Sequence, residues 1–328
     1  MTVVYYEQDA NIQVLAGKSV GVIGYTQQGR LAALNLRDSG VQVIVSGSDE
    51  EQISAQADGF TVGTIRNVTQ QADILLLALP DEQMTEVYMQ HISPHLRRGD
   101  TLIFSSAYNI AFGFVEPPPF VDVGMIAPRT AGGEPWLENH SFLSFVAVWQ
   151  DASRSAWQTV LAVARGMGAL RLGALEIKAQ QEAELTLFIQ QAVLPVFHHV
   201  IVAASRLLID QGYPTEAALI DLYLSGRFSN TLQQAAQRGL WQTLENTNLI
   251  GQYGTFSRLD RFDDLKLERL MEITLEQIRT GDFAREWARE YADGQPRLKK
   301  LIKQQQTLDL WELEQQTLDL LDEDSELF

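Results

Sequence analysis

Cysteine is absent from all 328 residues. That removes disulfides, thiolate metal sites and cysteine nucleophiles. Basic residues are scarce. The chain has 25 lysines and arginines against 42 acids, a formal net charge of −17. Nucleic-acid backbones and anionic membrane surfaces are bound through lysine and arginine, so neither is an expected partner. Histidine is rare as well, with five residues at 91, 95, 140, 198 and 199. They are too scattered to suggest a metal site. An uninterrupted apolar run of membrane length is also missing. The most apolar stretch, 182–212, is interrupted by Gln190-Gln191, Pro195 and His198-His199. Residues 1–6 carry no basic and apolar leader, so the cytoplasm is the expected compartment. What remains is an ordinary globular composition, 45% hydrophobic and 20% charged, long enough for two cores.

The first half alternates strand and helix. Val20, Val22 and Ile23 read as a strand, Gly24 to Gly29 as a turn, Arg30 to Asp38 as an amphipathic helix, and Val41 to Val45 as a second strand. Further strands are expected near Phe60–Val62, Asp73–Leu79, Thr101–Phe104, Val121–Ile126 and Phe142–Trp149, with helices at Met84–His91 and Ala152–Met167. Their apolar runs suit a mostly parallel, buried sheet. This predicts an α/β Rossmann domain over residues 1–181. Beyond about Gly173 the strand signals stop, which predicts an all-helical domain over 182–328. Near the tail QQTLDL occurs at 305–310 and again at 315–320. The ten-residue offset would let Leu308, Leu310, Leu318 and Leu320 share one helical face.

Two stretches carry chemistry. The turn Gly24-Tyr25-Thr26-Gln27-Gln28-Gly29 keeps the outer glycines of a dinucleotide fingerprint but has Thr26 at the middle position. Asp49 follows Gly29 by 20 residues, where an acid would take the ribose hydroxyls of NAD. Glu50 and Glu51 follow it, and no arginine stands nearby for a 2′-phosphate. The second stretch is the helix Glu182–Gly212, apolar on most faces and therefore expected at a domain centre, with a kink at Pro195. A thin polar line, Thr186 and Gln190 with His198 beyond, marks one of its faces.

Motifs spread along almost the whole chain resemble the short-form (class I) ketol-acid reductoisomerase family. They are VYYEQDANIQVLAGKSVGVIGY, LAALNLRDSG, ADGF, LPDE with EVY, NIAFG, VDVGMIAP, QDAS, QAVL, GYP, QYG and GDFAREW. The resemblance implies a Rossmann domain followed by a knotted helical domain that pairs two subunits, and an enzyme using NADPH and Mg²⁺. It also exposes departures. Thr186, Gln190 and Ser225 stand where the family places three of its four metal-binding carboxylates, and only Asp221 survives. Ser106 replaces the family's histidine, Arg129 its lysine, Asn248 a substrate-binding serine, and Ser48 the basic residue that grips the 2′-phosphate. Two divalent ions need more anionic oxygens than this set offers, so no magnesium is expected.

The resulting expectations are as follows. Gly24, Tyr25, Thr26, Gln28, Gly29, Ser48, Asp49, Leu79, Pro80, Asp81 and Ser106 line an NAD(P)H site that favours NAD over NADP. Thr186, Gln190, Ser225 and Asn248 line a substrate cavity. Tyr108, Arg129 or Asp221 polarises a small carbonyl or imine in a metal-independent reduction. The alternatives are a non-catalytic binding or regulatory homologue and, third, a genuine reductoisomerase with displaced ligands. A homodimer or larger assembly through the helical domain and a small-molecule ligand are the expected partners.

Overall fold

The computed structural model describes residues 2–129, 142–262 and 266–323. They form two compact units, residues 1–186 and 187–328. The altered segment after Arg129, His140 and the acidic chain end at 324–328 lie outside the described residues.

The first unit is built on a nine-stranded sheet: β1 (Val4–Tyr5), β2 (Ser19–Ile23), β3 (Gln42–Ser46), β4 (Thr61–Val62), β5 (Ile74–Leu77), β6 (Thr101–Phe104), β7 (Asp122–Arg129), β8 (Leu143–Gln150) and β9 (Ala174–Glu176). The spatial order is β1-β9-β8-β7-β6-β5-β2-β3-β4. From β4 to β7 all neighbours are parallel. The expected mostly parallel α/β architecture is therefore present. All four residues of β5, Ile-Leu-Leu-Leu, are buried, because helices cover both faces of the sheet. One face packs on α1 (Gln27–Asp38) and α6 (Ala156–Gly166) through Leu36, Val160 and Val163. Val68, Met84, Tyr88 and Ile92 of α3 (Ile65–Gln71), α4 (Asp81–Val87) and the turns after it cover the other face. α2 (Asp49–Ala57) links β3 to β4, and the short α5 (Tyr108–Ala111) follows β6.

Three local readings needed correction. β8 runs antiparallel to β7 and does not extend the parallel series. The pair β1 and β9, two and three residues long, closes the sheet edge and is too short to show a period in sequence. Helix α6 starts at Ala156, four residues later than expected, because Asp122 accepts the N–H groups of Ala152 and Ser153 and holds them in a turn.

A continuous helix spans Ala179–Asp210. It begins as α7 (Ala179–Phe188), widens into a π turn at Ile189–Val193, and continues as α8 (Leu194–Asp210). Pro195 sits in the first turn of α8, so the π turn takes up the strain of a missing donor and the helix is not broken. The interruptions noted in sequence therefore do not shorten it. With a mean hydropathy of 1.8 over its most apolar 18-residue window, it is long and apolar enough to cross a membrane by length and composition, against expectation. It is not the buried centre of a domain either, since only 11% of its most apolar window is covered within the chain. His198 is likewise exposed and lies 5.8 Å from the Trp311 ring.

After α8 the second unit is helical throughout its described residues: α9 (Thr215–Leu219), α10 (Arg227–Arg238), α11 (Leu240–Glu245), α12 (Leu249–Phe256), α13 (Leu267–Arg279), α14 (Asp282–Ala292), α15 (Pro296–Gln306) and α16 (Leu310–Glu323). The QQTLDL copies do not share a face. The first ends α15 and crosses the break before α16, so Leu310 is buried while Leu318 and Leu320 are exposed.

Candidate functional site

The sheet places the site. β2 is followed in sequence by β3 on one side and, after β4, by β5 on the other, so the strand order reverses between β2 and β5. Doubly wound folds bind ligands in a crevice at the carboxyl ends beside such a switch point. Three connections reach it: Gly24–Thr26 after β2, Leu79–Pro80 after β5, and Ser105–Ala107 after β6.

The outer glycines of the turn have separate jobs. Gly24 has φ +94°, a left-handed conformation that side chains resist. A Cβ on Gly29 would lie 1.9 Å from the Gly24 carbonyl oxygen, so α1 packs against the turn without room for one. Thr26 is extended (φ −62°, ψ 177°), a conformation open to any residue, and directs its hydroxyl to the Ala78 carbonyl at 3.4 Å instead of capping α1. The first turn of α1 is thus left without a side-chain cap. α2 contrasts with it, because Ser48 caps Glu51 N–H at 3.3 Å and Glu51 returns a bond to Ser48 N–H at 2.8 Å. An uncapped helix start at a switch point suits a pyrophosphate. Gln28 is exposed in that turn, and Asp49 is exposed at the start of α2. Tyr25 is 4% exposed. Its hydroxyl donates to Asp58 at 2.7 Å, so it braces the turn. Arg30 Nε holds the same carboxylate at 2.7 Å, and this pairing keeps Asp58 at about 2.

Asp81 opens α4 directly after Leu79 and Pro80. Its Oδ2 accepts from Ser106 Oγ at 3.0 Å, and its Oδ1 accepts from Asn109 Nδ2 at 3.0 Å. Thr85 Oγ1 donates to Asn109 Oδ1 at 3.1 Å and fixes the amide's direction. Burial pushes Asp81 up to about 6, and the neighbouring Glu182 charge adds to the rise against the lowering effect of its Ser106 bond. Tyr108 is 9% exposed and rests on Phe112 and Phe114, at 5.2 and 5.7 Å between ring centroids. Its buried hydroxyl has no hydrogen-bond partner among the described residues. Burial, and then the Asp81 charge, push that phenol up to about 12.

Glu182, 2% exposed, is the other carboxylate of the site. Its Oε2 accepts the Ala107 N–H at 2.9 Å, and its Oε1 accepts the Thr186 hydroxyl at 3.0 Å and the Arg129 guanidinium. Arg129 also donates to Thr186 Oγ1 at 3.1 Å, and its Cζ lies 4.4 Å from the Phe145 ring centroid. Strand β7 brings the guanidinium and α7 brings the carboxylate, so a half-buried Arg129 pairs with a buried Glu182. Glu182, Asn109 and Asp58 were not singled out in sequence. Glu182 lies four residues before Thr186 on the same helical face, and that spacing was a usable signal.

Asp81 gives a testable pH signature. Its folded value of about 6 lies above the ordinary 3.8, so folding disfavours its ionised form. The contribution is favourable below about pH 4 and is lost as pH rises through about 6. Asp81→Asn should therefore match wild type at acid pH and exceed it at pH 8 by roughly 3 kcal/mol. Melting curves across pH 4–8 will check this; a variant less stable at pH 8 would refute it.

Known proteins bear on these features. Residues 14–173 match the acetohydroxy acid isomeroreductase NADPH-binding domain, and residues 180–323 match the ketol-acid reductoisomerase C-terminal domain. The ketol-acid reductoisomerase (NADP(+)) of Pyrobaculum neutrophilum is 34% identical over 310 residues, covering 92% of this chain and 94% of that protein. The chain belongs to the ketol-acid reductoisomerase family. The same enzyme from Methanothermobacter thermautotrophicus is 35% identical over 319 residues, covering 94% and 96% of the two chains. A solved NADH-preferring ketol-acid reductoisomerase from an uncultured archaeon superposes with a TM-score of 0.89 at 28% identity, covering 97% of this chain and 99% of that one. Family membership carries a nicotinamide-binding domain, and the uncapped start of α1 fits that group.

The family's magnesium fits less well. Thr186 and Glu182 are already occupied by the Arg129 cation. In the second unit Gln190 and Ser225 are neutral and exposed, and Asp221 is exposed and paired with Arg227 at 2.9 Å. Asn248 is exposed and caps α12, accepting Gly251 N–H at 2.7 Å. This donor set offers hard divalent cations too few anionic oxygens.

Proposed function

We propose that this family member is a nicotinamide-dependent oxidoreductase that reduces a small carbonyl acid on its own side chains, without magnesium. The pairing of Arg129 with Glu182 and Thr186 carries the reading, because it puts a cation against Thr186, a position that the resemblance assigns to a metal-binding carboxylate. A bound nicotinamide supplies the hydride. Gly24, Thr26 and Gly29 shape its pyrophosphate seat, Gln28 lies at the helix start, and Ser48 and Asp49 flank its ribose. Leu79, Pro80, Asp81 and Ser106 border the nicotinamide end. The unpartnered Tyr108 hydroxyl lies ready to donate to a substrate oxygen, which would remove the cost of a buried orphan donor. Arg129 adds positive potential that favours an oxygen gaining charge.

The complete isomeroreduction is the second reading, favoured by the near full-length cover of ketol-acid reductoisomerases. One assay separates them. With NADH, the chain should reduce a 2-keto acid equally well with 5 mM EDTA or Mg²⁺ present, and Mg²⁺ should leave its melting temperature unchanged. Magnesium-dependent turnover of an acetohydroxy acid would replace the first reading with the second. Failure to bind NADH, NADPH or NAD⁺ in calorimetry would leave a non-catalytic homologue. A dimer through the second unit belongs to the proposal: Ile189, Val193, Leu194, Phe197, Val200 and Leu207 are exposed apolar side chains on one helix.

A further inference from the structure

We infer that Asp81 and Ser106 form a two-member proton relay that delivers a proton to the substrate oxygen during reduction. The inference rests on the reductase reading and names the proton source that reading leaves open. Its basis is geometric. Both residues sit at the carboxyl ends of adjacent parallel strands, β5 and β6, on the crevice between the sheet's two directions. The Ser106 hydroxyl is 3.0 Å from Asp81 Oδ2. Asn109 grips the other Asp81 oxygen and the Asp81 carbonyl, both at 3.0 Å, so the carboxyl has one orientation with Oδ2 towards Ser106. Thr85 fixes Asn109 in turn. Such buttressing is what a positioned acid needs.

The charges around Asp81 agree. Glu182 faces it from α7 and Glu82 from its own helix, and both oppose its ionisation. Tyr108 faces it from α5 and is itself pushed up to about 12, too high to be the acid. Arg129 is paired to Glu182 and so is not directed at Asp81. With burial as the leading cause, Asp81 stands at about 6, within the range where a carboxyl both holds and yields a proton near neutrality. Tyr108 is a donor of a hydrogen bond, and Asp81 is the donor of the proton.

The step balances. A bound nicotinamide would supply a hydride, one hydrogen with its electron pair: its C–H bond breaks, a C–H bond forms at the carbonyl carbon, and the C=O π pair moves onto oxygen. The Ser106 O–H bond breaks as its proton passes to that oxygen. Ser106 takes the Asp81 carboxyl proton at the same time. The substrate leaves as an alcohol, the nicotinamide is oxidised, and Asp81 remains as a carboxylate that solvent reprotonates.

The test uses the full chain, NADH and pyruvate as the probe, with Ser106→Ala and Asp81→Asn. Two readouts are independent of each other. The carboxylic acid C=O band in infrared spectra of the cofactor-free protein should titrate near pH 6 and be lost in Asp81→Asn. Ser106→Ala should keep that band, with its titration moved to higher pH because the bond from Ser106 no longer lowers Asp81, while kcat falls by about 100-fold. The wild-type fall of kcat at rising pH should vanish in Asp81→Asn. A wild-type kcat in Ser106→Ala, or a missing band, overturns the relay while the reductase reading stands. Absence of wild-type turnover with any 2-keto acid overturns that reading and the relay with it.

Discussion

Arg129→Ala should lower the melting temperature of the first unit by roughly 6–12 °C. Glu182 has 3% of its side chain exposed, and in the variant its carboxylate keeps only Ala107 N–H and the Thr186 hydroxyl. Neither replaces a full positive charge. Removing one member of a buried pair costs about 3 kcal/mol, because the survivor stays charged and poorly solvated. In a unit of this size each kcal/mol moves the midpoint by roughly 2–4 °C. The guanidinium face also packs on Phe145, so part of the loss is contact area. Arg129→Lys keeps charge but loses the forked donors and the stacking, and should fall between. The double variant Arg129→Ala with Glu182→Gln removes the orphaned charge and should recover much of the loss. Thermal melts of the four proteins form the check. A single variant as stable as wild type would show that water reaches Glu182 freely, and the ion pair would lose its claimed weight.

NADH should bind at least ten-fold more tightly than NADPH. The turn after β3 ends in Ser48, whose side chain caps α2 and so cannot serve a phosphate. Asp49, Glu50 and Glu51 follow within one helical turn, and no lysine or arginine occurs between Arg37 and Arg66. A 2′-phosphate carries nearly two negative charges, and each close carboxylate opposes it by about 1 kcal/mol even in water. The α2 helix start gives back about 0.5 kcal/mol. The repulsion wins, and ten-fold needs only about 1.4 kcal/mol. The NADH preference of the superposed archaeal enzyme agrees in direction, while the curated relatives carry NADP(+) in their names. Calorimetry with both reduced cofactors decides it. Ser48→Arg with Asp49→Ser should narrow the ratio; equal affinities in wild type would discard the argument.

Sequence patterns carried the architecture well where a period was long enough to see. The buried run of β5 and the Gly24–Gly29 turn announced a doubly wound sheet, and the motifs named the family. They carried the site less well, for physical reasons. Glu182 is meaningful only because Arg129 arrives from β7, 53 positions away. Asp58 gains its role from Tyr25 and Arg30, again far in sequence. Asn109 matters as a clamp on Asp81, which no local period reveals. The central helix misled for a different reason. Apolar periodicity reports that a face seeks cover, and says nothing about whether the same chain supplies it.

The two outer glycines of the turn have a consequence for how such chains are recognised in genomes. Gly24 answers to backbone conformation and Gly29 to the close approach of a helix, so both are demanded by the fold itself. A lineage that stopped using nucleotides would keep them. Thr26, the missing middle glycine, stands where any residue can sit. Motif searches that score three glycines therefore test packing twice and cofactor use once. A search that instead asks whether the helix start lacks a capping side chain would sort active descendants from silent ones better, and would retain this chain.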